Sequence, residues 1–192
     1  MTPRSGCRRL EPAPVVQYRE ATGCDARAIA LLHADSWRRH YRGAYLDSYL
    51  DGDVVAERRE VWTDRLTPPR VNLHTVCADV DGDVIGFAHT IFGHDPTWGA
   101  LLENLHVRSD LKGMGIGTRL LSEAAQALVR TRPSQPLHLW VLDQNAAAQS
   151  FYDSRGGTRV ETTRRGPFPG GGTAVGHRYF WSDPHRLITD GS

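Results

Sequence analysis

The sequence is short of several things, and each shortage excludes something. Lysine is nearly absent: of the 23 basic residues only Lys112 is one, the other 22 being arginine, the bias of GC-rich coding. Charge of one sign is missing too, since 22 acidic residues leave a net charge of +1. That is no field for nucleic acid or a membrane surface as the main partner. Cysteine is scarce: Cys7, Cys24 and Cys77 form an odd, widely spaced set, which offers neither a disulfide framework nor a metal site and fits a reducing cytoplasm. No apolar run is long enough to span a bilayer. The stretch MTPRSGCRRLEPAP at 1–14 has arginines but no hydrophobic run after it, so it does not read as a signal peptide. No metal, nucleic acid or membrane is therefore expected. With 192 residues and neither repeat nor linker, one domain over 15–182 is expected, between a disordered tail at 1–14 and a second tail at 183–192.

Periodicity supplies the elements. The run at 15–21 alternates like a strand, and 25–41 and 53–66 carry helical spacing closed by Pro68-Pro69. Runs at 72–80 and 83–92 flank Asp81-Gly82, a hairpin signal. A strand at 99–107, a helix at 115–131, a strand at 137–142, a helix at 145–154 stopped by Gly156-Gly157, and strands at 158–165 and 174–181 complete the order. Antiparallel runs followed by βαβ-like units predict an α/β (α+β) fold, with a mixed sheet and helices on both faces.

The densest chemistry lies in DLKGMGIGTRLL, residues 110–121, where three glycines occupy five positions. Ile116, Leu120, Leu121, Ala124 and Leu128 follow at helical spacing, so the glycines sit in a strand-to-helix turn. A helix start leaves N–H groups unpaired at the positive end of the macrodipole, and glycine lets a ligand approach them. A phosphate or diphosphate fits there. The turn does not match a Walker loop, because lysine precedes the glycines. It does not match the dinucleotide fingerprint either, because the spacing is G-x-G-x-G and no suitable acid ends the next strand, which leaves a nicotinamide oxidoreductase disfavoured. A turn that only packs a helix on a strand stays open as the alternative.

Lys112, Gly115 and Gly117 satisfy the pattern [Q/R/K]-x-x-G-x-[G/A]. Here the chain resembles the GNAT superfamily of N-acetyltransferases. The likeness spans roughly 15–181 and is strongest in LENLHVRSDLKGMGIGTRLL and LWVLDQNAAAQSFYDSRGG. Ser109, Lys112 and Gly157 depart from the commonest residues of the family. The resemblance implies a GNAT-like, mostly antiparallel central sheet of about seven strands, acetyl-CoA as co-substrate, no metal, and a splay between the 99–107 and 137–142 strands. It implies that Leu105, His106 and Val107 pair with the pantetheine arm. Lys112, Gly113, Met114, Gly115, Ile116, Gly117 and Thr118 would cradle the diphosphate, and Asn145 would cap its helix and bond the arm. A homodimer is a further expectation.

Attack of an amine on a thioester needs a neutral nitrogen, a stabilised carbonyl oxygen and a proton for the departing sulfur. Tyr152 is the expected proton donor, against a plain core role. Glu103, two residues before Leu105 and so on its face by alternation, is the candidate base, against a salt bridge with an arginine. His89, His94, His106 and His138 are weaker candidates, and Cys77 shows no activating neighbour. SWRRHYRGAYLDSYL at 36–50 and the 165–174 loop would line the acceptor pocket, with Asp47, Asp51 and the rings holding a cationic amine. Asp153 and Arg155 read as solvated surface. The expected function is acetylation of a small primary amine. A protein N-terminal or lysine acetyltransferase, or a CoA-binding sensor without turnover, stands as the alternative.

Overall fold

The computed structural model describes residues 15–189, and the expected tail at 1–14 lies outside them. The elements are β1 (Gln17–Glu20), α1 (Ala26–His40), α2 (Asp47–Leu50), α3 (Val54–Leu66), β2 (Leu73–Val80), β3 (Asp83–Asp95), β4 (Gly99–Val107), α4 (Ile116–Thr131), β5 (Leu137–Leu142), α5 (Ala146–Ser154), β6 (Thr158–Arg165) and β7 (Ala174–Trp181). The strands make one seven-stranded sheet in the order β1-β2-β3-β4-β5-β7-β6. Only the β4–β5 pair is parallel. The mixed, mostly antiparallel sheet with helices on both faces is as expected.

Local chemistry explains the elements. Asp81 and Gly82 both take positive φ, 52° and 90°, as a two-residue turn that keeps the strand twist requires. Ile116, Leu120, Leu121, Ala124 and Leu128 are all buried, so the helical stripe of α4 is the side laid on one face of the sheet. Ile29 of α1 and Trp62 of α3 pack with Cys77 and Phe87 on the other face.

Three expectations need correction. The four-residue helix α2 was not foreseen, being too short to show a period. Strand β3 runs past 92 to Asp95, absorbing Gly93 at a φ of 65° in an irregular stretch of its ladder. Residues 183–189 are not a loose tail. Pro184–Leu187 form a 3-10 turn, Leu187 is buried against α4, and the Thr189 N–H donates to Ser122 Oγ at 2.9 Å.

One irregularity matters most for function. In the β3–β4 ladder His89 faces Asn104 while Thr90 faces Leu102, so Glu103 is an extra residue without a partner. Such a bulge bends its strand and increases its twist. The β4–β5 pairing consists of Ala100 with Leu137 and Leu101 with His138, and stops just before the bulge. Beyond it the two strands part.

Candidate active site

The parting leaves a free strand edge inside the molecule. Leu105, His106 and Val107 pair with Ala88, Phe87 and Gly86 of β3 on one side and with no strand on the other. Their outward amides and carbonyls suit an extended, amide-bearing chain added as a further strand. A cavity of about 460 Å³ opens along this edge, floored by Leu139 and Val141 of β5 and reaching the turn before α4.

That turn is shaped by its glycines. Gly113 and Gly115 have φ of 84° and 81°, which side-chain-bearing residues rarely adopt. A Cβ at either would meet no protein atom within 4 Å, and one at Gly117 would make only ordinary contacts, 3.8 Å from Phe151 and Val107. Close packing of α4 on a strand therefore does not account for them. No side chain caps the helix at Gly115, so no side chain among the described residues accepts its first N–H groups there. This is a cradle for an oxyanion. Lys112 Nζ lies 2.9 Å from His40 Nε2 at its rim.

Every residue expected in the chemistry or the cofactor site lines this cavity except Met114, which is 67% exposed. Asn145 accepts the Ala148 N–H at 3.2 Å as the cap of α5, which leaves its amide NH₂ for another acceptor. Tyr152 is buried, and burial pushes its phenol well above the ordinary tyrosine range, so it keeps its proton at neutral pH. Among the described residues its hydroxyl has no hydrogen-bond partner.

A second cavity, of about 590 Å³, lies on the α1–α3 side of the splay. The two share Tyr41, Leu102, Glu103, Trp140 and Leu142 as walls. Phe168 and Pro169 of the loop from 166 to 172 form part of the wall of the second. There Phe168 packs on Tyr45 at 5.0 Å, and a Cβ on Gly172 would sit 1.8 Å from the Ala44 carbonyl oxygen. The molecule thus holds two chambers that meet at one seam, one walled by backbone amides and the other by side chains.

A model of the acetyltransferase (GNAT) family matches residues 34–156. The chain belongs to the GNAT family. It is an acyltransferase. A protein called "Probable N-acetyltransferase" from Mycobacterium tuberculosis is 28% identical over 145 residues, covering 73% of this chain and 78% of the relative. The uncharacterized N-acetyltransferase YuaI of Bacillus subtilis is 28% identical over 148 residues, covering 76% of this chain and 82% of its own. The fold matches the crystal structure of PaiA N-acetyltransferase from Thermoplasma acidophilum in complex with coenzyme A, with a TM-score of 0.67 and 20% identity over 85% of this chain and 98% of that one.

In this GNAT chain the bulge changes the place of Glu103. Alternation put it on the face of Leu105, but the extra residue turns its carboxylate toward α3, where it pairs with Arg65 at 2.5 Å. It is 33% exposed and borders both chambers. Asp47 and Asp51 do not line the second chamber. Both pair with Arg42 on the surface, because the unforeseen α2 turns them outward.

The histidines are structural by comparison. Burial holds His89 and His106 down at about 3, and His33 well below the usual imidazole range, so all three are neutral near pH 7. The Trp62 indole N–H donates to His33 Nδ1 at 3.0 Å, and His106 Nδ1 lies 2.8 Å from Ser36 Oγ. The Cys77 thiol is pushed up to about 12 by burial, the opposite of an activated nucleophile.

Arg155 is the site residue that the sequence reading leaves out. Arg155 was read as surface, yet it donates to Thr118 Oγ1 at 2.7 Å and brings a second cation to the rim of the cradle. Its signal was helical spacing, since Arg155 follows Phe151 by four positions and Tyr152 by three. Tyr41, one of the rings expected to line the acceptor pocket, stands in both chambers, held at about 12 by burial with the Glu103 charge adding.

Proposed function

We propose that the protein moves an acetyl group from acetyl-CoA to a primary amine of a small molecule, by direct attack of nitrogen on the thioester. One observation carries the reading: two chambers meet at a seam lined by Glu103, Tyr41 and Trp140, one suited to an amide-bearing arm ending in a diphosphate and the other to a compact acceptor. A chamber of about 590 Å³, bordered by Phe168 and Pro169 of the 166–172 loop, suits a small acceptor. The crystal structure of PaiA holds coenzyme A, and that of YncA from Salmonella typhimurium holds acetyl-CoA, in the same fold.

Acetyl-CoA supplies the activated acyl carbon and a thiolate leaving group. The chain's residues do the rest. The N–H groups from Gly113 to Thr118 hold the diphosphate, with Lys112 and Arg155 adding charge at the rim. The free edge from Leu105 to Val107 and the Asn145 amide fix the arm, so the carbonyl lies at the seam. A β4 backbone N–H there donates to the carbonyl oxygen as charge builds on it. Glu103, tethered by Arg65, takes the amine proton directly or through water, and Tyr152 gives its phenolic proton to the departing sulfur. The test is release of free thiol from acetyl-CoA across a panel of small amines and N-terminal peptides. Turnover of small amines is expected. Turnover of peptides alone, or none despite tight coenzyme A binding, overturns the reading.

A further inference from the structure

We infer that the acceptor carries an anionic group, a carboxylate or comparable oxyanion, beside its amine, and that Arg165 receives it. This rests on the amine-acetylating role proposed above for the same site. The acceptor chamber is lined by four arginines, and three are already matched. Arg58 pairs with Glu57 at 2.6 Å, Arg65 with Glu103 at 2.5 Å and Arg178 with Glu161 at 2.8 Å. Arg165 has no carboxylate partner among the described residues. The lining acids are committed as well. Glu103 holds Arg65, and Asp95 accepts the N–H groups of Thr97 and Trp98. Asp95 keeps its negative charge, so beyond the three matched pairs the chamber holds one cation, Arg165, and one anion, Asp95, and Arg165 is the cation left to meet an oxyanion.

The position of Arg165 is built. Its guanidinium carbon lies 4.1 Å from the centre of the Trp140 ring, and Trp140 borders both chambers. Stacking occupies the face of a guanidinium and leaves its donors, which lie in its plane, free for a bidentate oxyanion. To reach the ring the side chain crosses Gly176, where a Cβ would sit 2.9 Å from Arg165 Cγ. Gly176 is not in the left-handed region, so passage of the arginine, not the backbone, accounts for glycine there. The neighbouring Arg164 instead turns out to the surface and donates to Thr173 Oγ1. Burial and the nearby Arg178 pull the Arg165 pKa below the ordinary arginine value, against the opposing charge of Glu161. An incoming oxyanion offsets that desolvation.

The experiment pairs chemistry with a variant. Thiol release is measured for each of the twenty common L-amino acids beside its carboxamide, with taurine and spermidine added, in the intact chain and in Arg165→Gln. Coenzyme A affinity is measured for both by calorimetry. The free acids or taurine are expected to exceed amides and spermidine by tenfold or more in kcat/KM. Arg165→Gln is expected to raise their KM about tenfold, with coenzyme A affinity and the turnover of any amide unchanged. Equal use of acids and amides, preference for spermidine, no turnover of any member while coenzyme A binds, or an equal loss for acids and amides in the variant each overturns the inference. Absence of coenzyme A binding in the intact chain overturns the reading beneath it, so the two failures are distinct.

Discussion

The two chambers that meet at the splay are made of different material. The donor side is backbone: a free strand edge, the first amides of α4, and glycines whose φ or lack of Cβ leaves those amides bare. The acceptor side is long side chains brought from α1 and the segment after it, α3, β3, β4, β5, β6, β7 and the 166–172 loop, among them four arginines and the five rings of Trp37, Tyr41, Tyr45, Trp140 and Phe168. Main-chain groups suit a partner whose chemistry never varies. Side chains suit one that differs between related proteins, because they exchange without disturbing the fold.

That contrast is open to being broken. The largest effect is expected from Gly115→Asp, which sets a carboxylate against the diphosphate. Coenzyme A affinity should fall by at least about a hundredfold while circular dichroism stays native; unchanged affinity would deny that bare amides do the holding. Tyr152→Phe comes next. Its kcat should fall about a hundredfold with coenzyme A affinity intact, and an unaltered kcat would remove the phenol from the chemistry. A third measurement concerns the neutral histidines behind β4. Their imidazoles sit below the usual range in the folded state and near 6.5 in the unfolded one, so the unfolded chain binds more protons in acid. Stability should hold above about pH 6.5 and decline below it, by about 1.4 kcal/mol per pH unit for each ring that stays neutral, as urea unfolding would show. A flat profile from pH 7.5 to 4.5 would mean those rings are not buried neutral. The smallest effect belongs to Asn145→Ala, which removes the α5 cap and should lower stability by about 1 kcal/mol. A melting temperature unchanged in that variant would show that the side chain serves only the ligand.

The donor side was legible because its signals are local. Glycine spacing, the Ile116 to Leu128 stripe and the Asn145 cap each lie within one turn or helix, and each appears in the structure where the sequence placed it. The strands at 137–142, 158–165 and 174–181 were found to the residue for the same reason. The acceptor side was legible only in outline: the 36–50 and 165–174 stretches line the second chamber through Trp37, Tyr41, Tyr45, Arg165, Phe168 and Pro169, but the pairing of its charges left no local trace. No local pattern says that Arg165 crosses Gly176 to stack on Trp140, or that Arg155 reaches Thr118 from another helix. Asp47 and Asp51 looked available because α2, at four residues, leaves no periodic trace. The face of Glu103 was misjudged because strict alternation holds only in an unbroken ladder, and this ladder carries a bulge.

The same bulge sets a limit on how the strand can be edited. Where β3 counts one residue, β4 counts two, and the surplus tips the rest of the strand away from its parallel neighbour. Excising that single position would let β4 run on in step with β5. The molecule would gain a tidier sheet and lose the gap at which its two chambers meet.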